Sequence, residues 1–497
     1  MARVSAGWTS YAPLPREVPV STGDEPRPEL ADIGRLARRA LRGVVGAARA
    51  GEGATLSGLL REHLGDDSAE SAVVEELWPQ YEHVNVQTGL DAWIAEPAVS
   101  HQVVGIVGFQ HREFGLAEMI GGGVDAYGLG PGNLARVNLA CGPDGQVRPC
   151  VRCGLYLIAL DERRAALLLR GGEQHSQVTV QVMSSDDEFA LRIAAEVRQL
   201  ANVHNVFRGQ VLSFGSEIFG HGETLLQFHR RPVMDADQLI LPDQTLTAVR
   251  QQVVEVARHK HRLLAAGQHL KRGLLLYGPP GVGKTHTVRY LISSLTETTV
   301  VELTGRTLHL IAEACSVARA LAPAMLVVED VDLIAEDRGM HPGEHPMLFQ
   351  LLNEMDGLAE DADVVFVLTT NRVDLLEPAL AARPGRVDQA VELNLPDHQA
   401  RRRLFDLYRG TLEVDVSELD SVLTRTAGVT ASFLKELMRR AALLAAARDG
   451  AAQAPLAVST ADLNAALDEL LETRNAMTRV LLGGAVRVGY PPGPAPA

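Results

Sequence analysis

Cysteine, lysine and long apolar runs are all scarce in this sequence of 497 residues. The formal net charge of -15 argues against a general DNA- or RNA-coating surface, because phosphate backbones attract a positive field. Four cysteines are too few for a disulfide scaffold and are typical of a reducing cytoplasm. No signal-peptide core begins the chain, and no apolar run could span a bilayer. We expect a soluble cytoplasmic protein without membrane or nucleic-acid partners.

Composition and periodicity divide the chain into five regions. Residues 1–30 and 473–497 are rich in proline and lack apolar periodicity, which predicts a disordered arm and a disordered tail. Residues 31–232 predict an α+β N-terminal recognition or adaptor domain without a motif that carries chemistry. Residues 233–396 alternate apolar strands with helical patterns, which is typical of a parallel α/β sheet. Residues 397–472 are almost entirely helical.

The most specific motif is a glycine-rich loop between an apolar strand and a helical pattern. It matches G-x-x-x-x-G-K-[ST] in full and, with the histidine that follows, gives the predicted cofactor-binding residues Gly278, Pro279, Pro280, Gly281, Val282, Gly283, Lys284, Thr285 and His286. The glycines let backbone N–H groups approach phosphate oxygens at a helix N-terminus. Lys284 is a compact cation for the β- and γ-phosphates, and Thr285 offers a hydroxyl to Mg²⁺. The motif predicts a P-loop that binds ATP with Mg²⁺.

Two carboxylates end the next apolar run, residues 325–328. Because a parallel strand delivers its C-terminal residues to the ligand crevice, we expect Glu329 and Asp330 beside the phosphates. One carboxylate can hold Mg²⁺, and the other can orient and deprotonate the attacking water. Another buried strand ends before Asn371, whose amide is placed to hydrogen-bond the γ-phosphate or the lytic water.

Two arginines, Arg383 and Arg386, flank a turn shortly after this strand. Arginines near a phosphoryl site stabilise the charge of the transition state, an effect worth about 10³–10⁵ in rate. Two arginines at a turn also fit an ordinary solvated surface, and the residues alone leave both interpretations open.

In this order, the motifs resemble the AAA ATPases over about residues 233–470. The resembling segments are Walker A (278–285), Walker B (325–330), the helix after it (350–358), the second region of homology (370–386) and the entry to the lid (396–401). The resemblance implies a P-loop sheet with a C-terminal helical lid, in a ring that is usually hexameric and holds ATP between neighbours. By position, Asn371 matches sensor 1, and Arg383 and Arg386 match arginine fingers that reach the adjacent subunit's nucleotide.

The sequence departs from the family at the end of Walker B, where the usual order is Asp-Glu. By position Glu329 takes the Mg²⁺ role and Asp330 the role of catalytic base. Aspartate is one methylene shorter than glutamate, which predicts slower turnover. Two functions therefore remain open: an ATP-driven enzyme that remodels a protein or complex recruited by the N-terminal domain, or an assembly switch or scaffold that turns over slowly.

The sequence also bears on two kinds of zinc site. No H-E-x-x-H occurs, so a metalloprotease interpretation has no zinc site. Cys141, Cys150 and Cys153 offer three thiolates, which leaves both a structural zinc and unlinked buried cysteines open.

The segment 305–323, between Walker A and Walker B, bears on whether the protein could pull on a polypeptide substrate. Threading AAA motors present an aromatic or apolar residue beside a glycine in a loop between Walker A and Walker B. This segment contains no Phe, Tyr or Trp, and no glycine after Gly305. Its pattern predicts one helix from about Leu308 to Leu321 and a protein that does not thread polypeptide through a pore. The alternative is that His309 or Leu310 grips the substrate weakly, or that the loop 338–346 does so.

Overall fold

The computed structural model describes most of the chain between residues 55 and 472. The described residues are 55–65, 71–110, 112–124, 128–171, 177–216, 224–333, 346–357, 359, 361–374, 376, 387–449 and 456–472. The predicted arm, the predicted tail, Arg383 and Arg386 lie outside them. No helix within these ranges is both long and apolar enough to cross a membrane.

The N-terminal part folds around an antiparallel sheet with helices on both faces. Its elements are α1 (Leu56–Leu64), β1 (Val73–Pro79), α2 (His83–Ile94), β2 (Val99–Val107), α3 (Leu116–Ile120), β3 (Gly130–Gly132), β4 (Ala135–Ala140), β5 (Val147–Leu160), β6 (Arg163–Arg170), β7 (Gln177–Ser184) and α4 (Asp187–Val203). The described strands follow the order β1-β7-β6-β5-β2-β3, and β4 also pairs with β5. Helices α2 and α4 cover one face, and α1 and α3 cover the other. Strands buried on both faces are continuous apolar runs, and β5 shows this from Leu155 to Ile158.

The two cysteines of the C-x-x-C pattern lie on β5 and do not share a site. Three residues apart on a strand, they point to opposite faces. Cys153 packs beneath α1 and α3, whereas Cys150 packs in a different cluster. Burial raises the pKa of each thiol to about 12, so both stay protonated. Of the two alternatives, the cysteine pair fits buried thiols, because Cys150 and Cys153 lie on opposite faces of the sheet.

The second sheet is parallel except at one edge. Its strands are β8 (Val211–Ser216), β9 (Thr224–His229), β10 (Arg272–Tyr277), β11 (Thr299–Leu303), β12 (Ala324–Val328), β13 (Val364–Thr370) and β14 (Gln389–Glu392). The helices packed around it are α5 (Asp243–Arg250), α6 (Val256–Arg258), α7 (Lys260–Ala265), α8 (Lys284–Ser294), α9 (Ile311–Ala320) and α10 (Pro346–Asp356). The order is β14-β10-β13-β12-β11-β8-β9, and only β9 runs antiparallel to its neighbour. The predicted P-loop α/β fold is confirmed.

The domain boundary predicted at residue 232 falls too late. Strands β8 and β9 were assigned to the N-terminal domain, but β8 pairs in parallel with β11 of the second sheet. The pairing joins segments about 90 residues apart, and the sequence of a strand does not predict such a distant partner. The two parts also share a core, because Val84 and Cys150 lie in one cluster with residues of β8, β11 and β12.

The C-terminal part is a small helical domain built around its own apolar cluster. It contains α11 (His398–Arg409), β15 (Glu413–Val414), α12 (Leu419–Arg425), α13 (Ala431–Asp449), β16 (Ala457–Val458) and α14 (Thr460–Leu471). Asp397 caps α11 by accepting a hydrogen bond from the N–H of Ala400 at 2.7 Å. The Arg401 side chain is buried and donates to the carbonyl oxygens of Pro396 and Leu423, which fixes the entry to this domain.

Candidate nucleotide site

The glycine-rich loop joins β10 to α8 in a conformation that requires glycine. Gly278 has a φ of 145°, and a Cβ there would lie 2.3 Å from the carbonyl oxygen of Leu393. Gly283, with a φ of 110°, precedes α8 and has no side chain to cap it. The first N–H groups of a helix lack intrahelical partners, so this helix start presents donors to an anion.

The Lys284 side chain connects the loop to the end of β13. Its Nζ donates to the carbonyl oxygens of Gly278 at 2.8 Å and Pro279 at 3.0 Å, and to Oδ1 of Asn371 at 2.7 Å. Burial lowers the pKa of Lys284, and the charges of Asp330 and Asp332 oppose that shift. The structure therefore brings together Lys284 and Asn371, as the sequence predicts.

Glu329 begins the acidic end of β12. Its N–H donates to the carbonyl oxygen of Leu303 at 3.0 Å, which orients the residue toward the crevice. Its Oε1 is buried and has no hydrogen-bond partner in the described structure. Burial, followed by the charge of Glu329, raises the pKa of Glu302 on the neighbouring strand. A carboxylate oxygen that is buried without a donor is suited to a cation.

Asp330 is held by Asn371 from the adjacent strand. The Asn371 Nδ2 donates to Oδ1 of Asp330 at 3.2 Å, so Lys284, Asn371 and Asp330 form one chain of hydrogen bonds. Asp332 holds the backbone beside Asn371 in place. Its carboxylate accepts hydrogen bonds from the Thr370 hydroxyl at 2.8 Å and from the Asn371 N–H at 3.2 Å. The sequence prediction did not include Asp332, although an acid two residues beyond the pair was a visible signal.

The helical domain contacts the loop directly. Ser432, at the start of α13, donates from its N–H to the carbonyl oxygen of Gly281 at 3.2 Å. Leu239 and Leu241 are buried in the core of the sheet, whereas Ile240 between them packs against the helical domain. These contacts bring the helical domain against the phosphate loop.

Thr285 and His286 lie in the first turn of α8, directly after the phosphate loop. Burial lowers the pKa of His286, and the nearby charges of Arg289 and Lys435 lower it further, so the ring is neutral at pH 7. Thr285 is exposed at the first turn of the helix. Both predicted residues therefore lie at the loop, while Arg383 and Arg386 lie outside the described residues and their roles stay predictions.

The site fits Mg²⁺ bound together with nucleotide phosphates. Mg²⁺ is commonly held in proteins by one or two carboxylates with substrate phosphates and water, rather than by a cage of protein ligands. The unpartnered Oε1 of Glu329 and the exposed hydroxyl of Thr285 meet that requirement.

Comparison with known proteins identifies the module. Residues 274–395 match the family described as "ATPase family associated with various cellular activities (AAA)". The matched segment contains the glycine-rich loop, both carboxylates and Asn371.

Curated relatives match a longer part of the chain than that segment. The "ATP-dependent zinc metalloprotease FtsH 2" of Sphaerobacter thermophilus is 36% identical over 264 residues, which cover 49% of this chain and 40% of the relative. The "ATP-dependent zinc metalloprotease FtsH 3" of Synechocystis sp. is 29% identical over 330 residues, covering 62% and 52%. "FtsH 4" of Sphaerobacter thermophilus is 32% identical, covering 55% and 43%. The chain thus spans about half the length of the curated relatives it matches.

Proposed function

The chain carries an AAA ATPase module that uses ATP with Mg²⁺, and from this premise we propose that the whole protein is a cytoplasmic ATP-driven remodelling enzyme. It acts as a homo-oligomer, a hexameric ring, on a protein or complex recruited by the N-terminal domain. The hydrogen-bond chain from Lys284 through Asn371 to Asp330 carries the proposal. It joins a phosphate-binding cation, a polar sensor and a base in one crevice.

The residues of the site divide the work of hydrolysis. Lys284 and the N–H groups at the start of α8 bind the β- and γ-phosphates. Asn371 orients a water molecule, and Asp330 accepts its proton as the water oxygen bonds to the γ-phosphorus. The bond between that phosphorus and the β–γ bridging oxygen breaks, and ADP and phosphate leave.

The metal has a defined place in this scheme. Glu329 and Thr285 are the residues that would hold Mg²⁺. When bound, Mg²⁺ neutralises negative charge on the β- and γ-phosphate oxygens. Removal of the ion with a chelator should therefore stop turnover without unfolding the protein, because the proposed ligands Glu329 and Thr285 hold the ion together with the nucleotide.

The shared core supports coupling between the two parts of the protein. The ring of Tyr81 lies 6.4 Å from that of Phe207, which in turn lies 5.6 Å from Phe228 on β9. Val84 belongs to the same cluster. A rigid contact of this kind transmits subunit motion to a client bound at the N-terminal domain more directly than a flexible linker does.

The segment between the two Walker motifs favours remodelling without threading. It forms a 3₁₀ helix, Gly305–Leu310, that leads straight into α9. Leu308 and Ile311, two of its apolar residues, are buried in the core and so are not available to grip a substrate. Force would then be applied through the N-terminal domain.

A switch or scaffold with slow turnover is the second candidate function. The observation that favours it is the aspartate at the base position, because a shorter side chain holds the water less closely. Steady-state ATP turnover of the full chain, with and without candidate clients, separates the two functions. Acceleration by a client is expected for remodelling. Slow turnover that no client changes would support the switch.

The same assay tests the site. Lys284→Ala should weaken ATP binding by about 10²-fold or more, because it removes the buried cation of the loop. Lys271→Ala is the matched control, since Lys271 precedes the opposite end of the same strand. Normal ATP hydrolysis by Lys284→Ala would refute the assignment. Clients can be identified by what co-purifies with an Asp330→Asn variant that keeps ATP bound.

A further inference from the structure

Thr369 lies where the strand that ends in the carboxylates separates from the strand that ends in Asn371. Strands β12 and β13 remain paired as far as Val328 and Leu368, and Thr369 is the next residue of β13. Its side chain is 2% exposed. It is part of none of the sequence motifs that define the nucleotide site.

Thr369 binds two consecutive amides at the end of β12. Its hydroxyl oxygen accepts a hydrogen bond from the Asp330 N–H at 3.1 Å, and its carbonyl oxygen accepts one from the Val331 N–H at 2.9 Å. Asp330 itself has a φ of 52°, one of two positive φ angles among the described residues other than glycine. A side-chain-bearing residue adopts this left-handed conformation only when its surroundings hold it there.

The direction of the Asp330 side chain depends on that backbone conformation. Aspartate has one methylene fewer than glutamate, so its carboxylate cannot make up for a misdirected Cα–Cβ bond by changing rotamer. In the conformation that Thr369 holds, the carboxylate reaches Nδ2 of Asn371 at 3.2 Å. It thereby joins the chain of hydrogen bonds that begins at Lys284.

We propose that Thr369 is a positioning residue for ATP hydrolysis: its hydroxyl holds Asp330 in the left-handed conformation that aims the short carboxylate at the attacking water. The inference rests on the proposed function, since it takes Asp330 as the base. Thr369 does not itself touch the nucleotide. It adapts the sheet to an aspartate where a longer glutamate would reach without such help.

The test uses the full-length protein and three substitutions. Thr369→Val replaces the hydroxyl by a methyl group and should lower kcat about three- to tenfold, the effect of one hydrogen bond, with the KM for Mg·ATP unchanged. Thr369→Ser keeps the hydroxyl and should restore kcat. Thr299→Val is the control, because that buried hydroxyl contacts Leu321 and Gly209 from the first residue of β11, at the opposite end of the parallel sheet. It should lower thermal stability and leave kcat as in the parent.

A double variant tests whether Thr369 acts through Asp330. In an Asp330→Asn background, Thr369→Val should cause no further loss of turnover, because the two residues act as one unit. Should Thr369→Val fail to fold, Thr369→Ala tests the same point with a smaller side chain.

The outcomes separate the inference from the function on which it rests. An unchanged kcat in Thr369→Val, a Thr369→Ser variant as slow as Thr369→Val, or an additive loss in the Asp330→Asn background would each overturn the inference alone. A parent protein that does not hydrolyse ATP would refute the proposed function, and the inference with it.

Discussion

The two sheets of this protein use buried polar side chains in opposite ways. In the N-terminal part, polar residues of α2 face the chain's own backbone. His83 Nε2 lies 2.9 Å from the carbonyl oxygen of Val151, and Gln87 Oε1 accepts from the N–H of the same residue at 2.9 Å. Asn85 accepts from the Val206 N–H at 2.8 Å. These polar groups are hydrogen-bonded within the protein, and the bonds hold one element to another.

In the ATPase sheet, polar residues instead collect at the strand ends. Parallel strands end at the same edge, so the residues that follow β10, β12 and β13 converge on one crevice. There Glu329 keeps an oxygen without a partner, and Lys284 contacts carbonyl oxygens that a phosphate can replace. The difference lies in where the polar groups are: on a helix packed against the sheet in the N-terminal part, and at the converging ends of parallel strands in the ATPase sheet.

Truncation between the N-terminal part and the ATPase sheet should have the largest effect on folding. A fragment that begins at residue 233 loses β8 and β9 and leaves the edge of β11 unpaired. It should be insoluble, since Phe207, Leu212 and Phe214 of the shared core are lost with it. A fragment that begins at residue 205 keeps these residues and should fold with reduced stability. Soluble yield and thermal unfolding compare the two fragments, and cooperative unfolding of the shorter one would show that the ATPase sheet does not need β8 and β9.

Arginine replacement tests whether the crevice is completed by a neighbouring subunit. Arg383→Ala or Arg386→Ala should lower kcat by about 10³-fold, with ATP affinity nearly intact. Mixing either variant with Lys284→Ala protein should restore some turnover, because a mixed interface combines an intact loop with intact arginines. No recovery in rings that are shown to be mixed would argue against arginines acting between subunits.

Substitution should distinguish the roles of the two carboxylates, Asp330 and Glu329. Asp330→Asn should lower kcat by about 10²–10⁴-fold while ATP stays bound, because an amide cannot accept the proton. Glu329→Gln should instead shift the Mg²⁺ concentration needed for half-maximal turnover. Titration of Mg²⁺ against rate for both variants distinguishes them. The reverse pattern would mean that residue type, rather than position, assigns the roles.

What the sequence predicts well is whatever depends on neighbouring residues. The loop at 278–285 is a contiguous motif, so its strand, turn and helix follow from local spacing, and the hairpin of β5 and β6 follows from two apolar runs around Asp161 and Glu162. Glu329, Asp330 and Asn371 were predicted because each follows a buried strand.

What the sequence does not predict depends on distant pairing. Thr369 acts across the β12–β13 boundary, 39 residues away from its partner Asp330. The partners of His83 and Gln87 are 68 and 64 residues distant. Nothing in the residues around such a side chain indicates which backbone group it will meet after folding.

The smallest expected effect concerns the pH dependence of the N-terminal part, through His83. Because Nε2 faces a carbonyl oxygen, it carries the ring proton, and Nδ1 is buried without a hydrogen-bond partner in the described structure. Burial lowers the pKa of His83 below its usual value near 6.5. The unfolded chain therefore binds a proton more readily than the folded protein as the pH falls through this range. Stability from this group is complete above about pH 6.5 and declines below it, by at most about 1.4 kcal/mol per pH unit.

His83→Gln isolates that contribution, because glutamine keeps an N–H donor for Val151 and does not titrate. The free energy of unfolding, measured with denaturant at pH 7.5, 6.5 and 5.5 (values chosen to span the usual histidine pKa of about 6.5), should fall less steeply in the variant than in the parent. Glu82, whose pKa burial raises, is present in both proteins and cancels in the difference. His63→Gln serves as the comparison, since burial also lowers the pKa of that ring beneath the other face of the sheet. ATP turnover at pH 7.5 should match the parent in both variants. Parallel pH profiles for parent and His83→Gln would mean that the His83 ring does not cause the pH dependence of the free energy of unfolding. A loss of turnover would show that α2 takes part in the chemistry of the other sheet.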